Sequence, residues 1–177
     1  MTDIITAVQD PCRAFVISAL EGYIPEAVIV WGNQDSPTPA EPCVVLFFTP
    51  TGTPARDAVE QIDADRAQLT GIREASIDLR IFAGPGSMAL GYRLEASTNI
   101  EQKTEVAAAA GVVIYRNDIP KDVSYVRDGK QRSAASFAFG IRWNESEVFA
   151  RDSIEQVTVT GTIKSDSGRE YSVEVKN

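Results

Sequence analysis

The chain has no histidine, and only two cysteines and two methionines among its 177 residues. Without an imidazole there is no Ser-His-Asp relay, no histidine zinc site and no ring that titrates unperturbed near neutrality. The two thiols, Cys12 and Cys43, stand far apart without CxxC spacing, which sets a metal site aside. They read as small buried hydrophobes. A disulfide between them stays open but unsupported, because the N-terminus has neither the basic segment nor the apolar run of a secretory signal. No stretch reaches the ~18 apolar residues that a membrane-crossing helix needs. A protein of cytosolic type is expected, with no membrane partner.

Lysine is missing from residues 1–100, which hold 13 acids against 6 arginines and carry −7. Residues 101–177 hold 12 acids and 11 bases and carry −1, giving −8 in all. An acidic surface repels nucleic-acid backbones and makes a poor clamp for DNA, which argues against nucleic-acid binding but not against a surface that DNA slides past. The length fits one domain over 1–177, with enough chain to bury a core without staples.

Apolar residues at helical spacing (Ile4, Ile5, Val8, Cys12, Phe15, Val16, Ala19, Leu20) predict an N-terminal helix over 2–21. Pro11 either starts a second helix or kinks a single one. Strands are predicted at 27–32 and 44–49, the latter apolar on both faces and therefore central. The prolines at 37, 39 and 42 make the connection between them a loop. Residues 53–71 read as a charged helix on the spacing of Val59, Ile62, Arg66 and Leu69, with an extended arm as the alternative. From Glu74 to Ala83 the alternation is strict and predicts a strand with one buried face. A mid-chain helix over 87–110 follows, with Thr98-Asn99 as a point of division and Gly111 as its stop.

After a short strand at 112–115, two hairpins are expected. The first is long and turns at Asp128-Gly129, with 133–143 as its second arm; the second turns at 165–168. The class is α+β: a mainly antiparallel or mixed sheet with an N-terminal and a mid-chain helix packed on it and hairpin arms protruding.

Gly84-Pro85-Gly86-Ser87-Met88-Ala89 matches the loose GxGxxA pattern between a strand and a helix. The fingerprint wants an acid about 20 residues on at the end of the next strand; here that strand, 112–115, ends near Asp118, too late for the role, so the segment reads as a plain strand-to-helix turn. A small nucleotide-binding enzyme using this turn is the weaker alternative. The acid pairs Asp63/Asp65 and Glu145/Glu147 lack an apolar wall that would raise a pKa and read as solvated faces. Arg127, Lys130 and Arg132 crowd the Asp128-Gly129 turn, which is either a docking arm for an acidic partner or a solvated turn. No catalytic, metal-binding or cofactor-binding residue is assigned.

Taken together, several segments resemble the phage neck/tail-terminator proteins. The first is Val30-Trp31-Gly32-Asn33-Gln34-Asp35-Ser36-Pro37, followed by Pro42 and a strand. Next come Gly84-Pro85-Gly86 ahead of a helix bearing Ala89, then Lys130-Gln131-Arg132 feeding a long alternating strand to Trp143, and Asp152-Ser153-Ile154 before a final strand. The resemblance implies a virion structural protein, assembled in the bacterial host cytoplasm. Such a protein forms a ring, usually hexameric, that caps the tail tube, halts its polymerisation and joins tail to neck. Its implied partners are further copies of itself, the tail-tube protein, a neck or head-completion protein and the tail sheath, with genome DNA passing through unbound. A head-completion adaptor or a tail-tube protein is the alternative. Interface candidates are Arg127, Asp128, Gly129, Lys130 and Arg132 in the first hairpin and Asp166 and Arg169 in the second.

Overall fold

A computed structural model describes residues 2–32, 39–63, 65–116 and 118–150. The chain divides into two compact units: Met1–Asp57 with Gly71–Glu145, and Ala58–Thr70 with Ser146–Asn177.

The first unit opens with helix α1, Thr2–Leu20. Its buried stripe, Val8, Cys12, Phe15, Val16, Ala19 and Leu20, is the one the spacing predicts. Helix α1 runs continuously through Pro11. An internal proline costs roughly 3 kcal/mol. Burying several large side chains on both sides of it, at about 1.5–3 kcal/mol each, exceeds that cost. A single turn of 3₁₀ helix, Glu26–Val28, leads into β1, Ile29–Trp31. Arg13 ties this turn to α1, donating from Nε to the Ile29 carbonyl (2.8 Å) and from Nη2 to the Glu26 carbonyl (3.0 Å).

Strand β2, Cys43–Gly52, lies parallel to β1 in the register Ile29↔Val44. Strand β4, Arg66–Phe82, runs antiparallel to β2 from Cys43↔Phe82 to Gly52↔Glu74, with a register shift at Pro50/Gly52. Strand β9, Ala135–Ala150, follows β4 in the sheet and β5, Val112–Arg116, follows β9, so the order is β1-β2-β4-β9-β5. The β5–β9 pairing is antiparallel, with Tyr115 opposite Gly140. The two-residue strand β6, Lys121–Asp122, adds to the start of β9. The sheet is thus mixed and mainly antiparallel, and the α+β class holds.

Alternation sends Ala75, Ile77, Leu79 and Ile81 of β4 to one face, where they are buried with Val44, Leu46, Phe137, Phe139 and Ile141. Helix α1 covers that face, and Phe15 meets Phe139 edge-on at 5.3 Å. The mid-chain helix is divided where expected, into α2, Ser87–Ser97, and α3, Glu101–Ala109. Ser97 and Thr98 donate their hydroxyls back to the carbonyls of Arg93 and Glu95, which competes with helix continuation. Leu90, Leu94 and Ala107 put both helices on the α1 side of the sheet.

Helix α1 has no basic residue in its last turn. Its orphan carbonyls are met from other helices instead. Arg93 Nε donates to the Ala19 carbonyl (2.9 Å) and Lys103 Nζ to the Ser18 carbonyl (2.6 Å). These long-range caps fasten α2 and α3 to α1.

Residues 53–71, of which 58–70 belong to the second unit, do not form the expected helix; the extended alternative is what is found. Strand β3, Ala58–Gln61, pairs antiparallel with residues 67–70 of β4. A helix would need its apolar stripe buried, yet Val59 is 58 % and Ile62 48 % exposed. Cross-strand hydrogen bonds satisfy the backbone instead. The turn is held by Asp63, whose carboxylate accepts from Arg66 Nε (2.8 Å) and Nη2 (2.6 Å) and from the Asp65 amide (3.1 Å). Those same bonds hold the Asp63 carboxyl below the usual range, the Arg66 contact contributing most.

The first hairpin also differs from the expectation. Its arms, β7 (Tyr125–Arg127) and β8 (Lys130–Arg132), are three residues each and form a separate two-stranded sheet. Beyond Ala134 the chain enters the main sheet as β9, which continues past Trp143 to Ala150. The second hairpin and residues 33–38 of the opening motif lie outside the described residues.

Candidate assembly interface

The Asp128-Gly129 turn forms as predicted. Both residues have positive φ, +54° and +70°, the conformation of a two-residue type I′ hairpin. Arg127 faces Lys130 across it, Val126 faces Gln131 and Tyr125 faces Arg132. The base of the arm is anchored. Tyr125 stands edge-on to Phe82 of β4 at 6.4 Å, and Arg132 pairs with Glu41 at 3.6 Å. The Val123 amide donates to the Ala134 carbonyl (3.0 Å), and the Ala134 amide donates to Ser124 Oγ (3.2 Å). Asp122 accepts from the Ser124 hydroxyl and amide, and its carboxyl is held low by them.

The tip has little to hold it. Val126 is 73 % exposed, and the Arg127 side chain, 72 % exposed, has Asp128 at 3.8 Å as its ion-pair contact. Lys130 has no ion-pair partner among the described residues. Of the interface candidates, the structure therefore gathers Arg127, Asp128, Gly129, Lys130 and Arg132 on one small arm. Asp166 and Arg169 lie outside the described residues.

The acid pairs separate in character. Glu145 is not a solvated side chain: its carboxylate accepts from Arg73 Nε at 2.7 Å. Arg73 also forks onto Asp57, from Nη1 at 2.6 Å and Nη2 at 2.9 Å. Hydrogen bonding to Arg73 is the main reason the Asp57 carboxyl lies below its ordinary range, and Arg73 is correspondingly more basic than a free guanidinium. Beside this cluster Arg142 donates from Nε to Glu74 at 2.7 Å. Asp57 and Arg73 are 16 residues apart in sequence and Arg73 and Glu145 are 72, so no local spacing could have announced the cluster. Asp57, Glu74 and Glu145 are each paired with an arginine.

The Gly84–Gly86 segment is a 3₁₀ turn between β4 and α2. Ser87 closes it, accepting from the Ala83 amide (2.9 Å) and donating to the Gly84 carbonyl (2.8 Å), with the Ser133 carbonyl 3.2 Å away. The hydroxyl at the start of α2 thus ties the strand-to-helix junction together. Cys12 and Cys43 are both buried and unpaired. Burial alone pushes the Cys12 thiol up to about 12. Among the described residues no group of three His, Cys, Asp or Glu side chains is placed to hold a metal. No described helix is long and apolar enough to cross a membrane.

Among the described residues the arm is thus anchored at its base and exposed at its tip. In comparison with protein families, the family model described as phage neck terminator protein matches residues 3–167. The chain belongs to this family. Among curated proteins, no sequence matches it. As a neck terminator it is a structural protein of the phage particle, located at the neck and tail and working through contacts with other neck and tail proteins.

Proposed function

We propose that this neck terminator assembles as a hexameric ring at the head-proximal end of the tail. The ring caps the tail tube, stops its polymerisation and joins the tail to the neck, and genome DNA passes through its centre without specific binding. The family match over 3–167 carries this reading. The net charge of −8 is in keeping with a conduit whose wall does not hold phosphates. The whole chain acts as one terminator domain, assembled in the bacterial host cytoplasm. Its partners are its own copies, the tail-tube protein, a neck or head-completion protein and, in a contractile particle, the sheath. The interface candidates are the Arg127–Arg132 arm together with Asp166 and Arg169.

Electron microscopy of particles lacking the protein tests this. Overlong or unjoined tails are expected. Leaking heads beside tails of normal length would instead identify a head-side adaptor, and a complete absence of tubes would identify a tube subunit.

A further inference from the structure

The undocked arm has a counterpart on the same chain. Helix α3 carries Glu101 and Glu105, both exposed and one helical turn apart, hence on one face. Neither has an ion-pair partner among the described residues. Glu101 suits the first turn of α3, but Glu105 at this spacing sets like charge against it, which weakens an isolated helix. Lys103, the cation between them in sequence, is drawn to the end of α1. Exposed apolar side chains flank the acids: Ile100 is 42 % and Val106 48 % exposed. The arm tip is the complement in charge: the exposed cations Arg127 and Lys130 lie opposite each other across the turn and so share one face of the ribbon, while Val126, paired with Gln131, alternates to the other.

The two surfaces lie on opposite faces of the sheet. Leu79 and Ile81 of β4 face the helices, and α3 belongs to that layer through Ala107. Phe82, which supports Tyr125 at the base of the arm, alternates to the other face. The arm and α3 of one molecule are separated by the sheet, so their complementarity is available between copies. A contact using different surfaces on the two partners propagates head to tail and closes into a ring when the rotation permits.

We infer that the Arg127–Lys130 tip of one subunit docks on the Glu101–Glu105 face of α3 in the next, with Arg127 and Lys130 against Glu101 and Glu105. This rests on the ring reading above and names the receiving surface for the arm.

Two charge-reversed proteins test it, Arg127→Glu with Lys130→Glu, and Glu101→Lys with Glu105→Lys, followed by native mass spectrometry. Each alone sets like charge against like, and assembly should need about tenfold more protein or fail. Mixed in equal amounts, they should form rings of alternating subunits, because each arm then meets an opposite face. The mixture also shows that both proteins are folded. Rings that form normally from either variant alone would overturn the docking while leaving the ring reading intact. Rings of normal stability that no longer bind purified tail tubes would place the arm on the tube protein, again overturning it. A wild-type protein that stays monomeric at every concentration and beside tubes would refute the ring itself, and the docking with it.

Discussion

Gly140 offers a sharp test of how the sheet face opposite the helices is built. It lies opposite Tyr115 in the β5–β9 ladder, and the tyrosine ring lies across it. A Cβ at 140 would fall 2.6 Å from the phenolic oxygen and nearer still to two ring carbons. The Arg142 guanidinium also lies over this ring, 5.9 Å from its centroid. In Gly140→Ala the ring must swing off the strand or the strand must shift. Overpacking of this kind costs about 1–3 kcal/mol. Replacing a strand glycine by alanine returns about 0.5–1 kcal/mol through the unfolded chain. The net loss is roughly 1–2 kcal/mol, and at about 2–4 °C per kcal/mol for a chain of this size the melting temperature should fall by about 2–8 °C. The decisive comparison is a double-mutant cycle read by calorimetry. With Tyr115→Ala already in place the clash is gone, so adding Gly140→Ala should be neutral or slightly stabilising. An equal drop in melting temperature in both backgrounds would refute the steric argument.

Two further outcomes follow from the ionisable groups. Asp57, Asp63, Asp118 and Asp122 are all held below the ordinary carboxylate range by arginine, lysine, hydroxyl or amide donors. Lowered folded-state values mean stability that is present above the unfolded value, about 3.9, and is lost as pH falls further. Urea midpoints should hold steady from pH 7 to 5 and decline below about 4. Arg73→Met should make that decline shallower, and an unchanged acid limb would contradict the role given to Asp57. Cys12, with its thiol pushed up to about 12 inside the α1 stripe, should resist alkylation at pH 8 until denaturant is added. Prompt labelling in the native protein, located by mass spectrometry, would show the stripe is not packed as described.

Elements with a sequence period survived the passage from sequence to structure; those fixed by distant partners did not show in advance. The stripe Val8–Cys12–Phe15–Ala19 and the alternation Ala75–Ile77–Leu79–Ile81 are statements about burial, and both faces are buried. The Asp128-Gly129 turn was legible because its backbone conformation selects those residues. The 53–71 segment misled because its apolar residues fall at helical intervals while the ladder with β4 decides its conformation. Arg93 and Lys103 capping α1, and Arg73 joining Asp57 to Glu145, depend on residues many positions away. Charge in a sequence says where water is preferred, not which opposite charge the fold will bring near. For the same reason the arm was legible as a cluster of cations, while the acidic helix face that complements it appears only once α3 is placed in its layer.

The Arg73 cluster has a consequence for how such a chain changes over time. The chain leaves the first unit at Asp57, re-enters at Gly71 and leaves again at Glu145. Arg73 grips Asp57 and Glu145 directly, and Gly71 is so close to the Asp57 carboxylate that a side chain there would strike it. All three points of exit and entry are therefore drawn together by one guanidinium. Residues 58–70 begin and end at neighbouring points, as an insertion does in a scaffold that is already closed. Such a segment can be lengthened, shortened or exchanged without rebuilding the Phe15–Phe139 core. A lineage meeting new partners could thus vary what lies beyond the clasp and inherit what lies behind it unchanged.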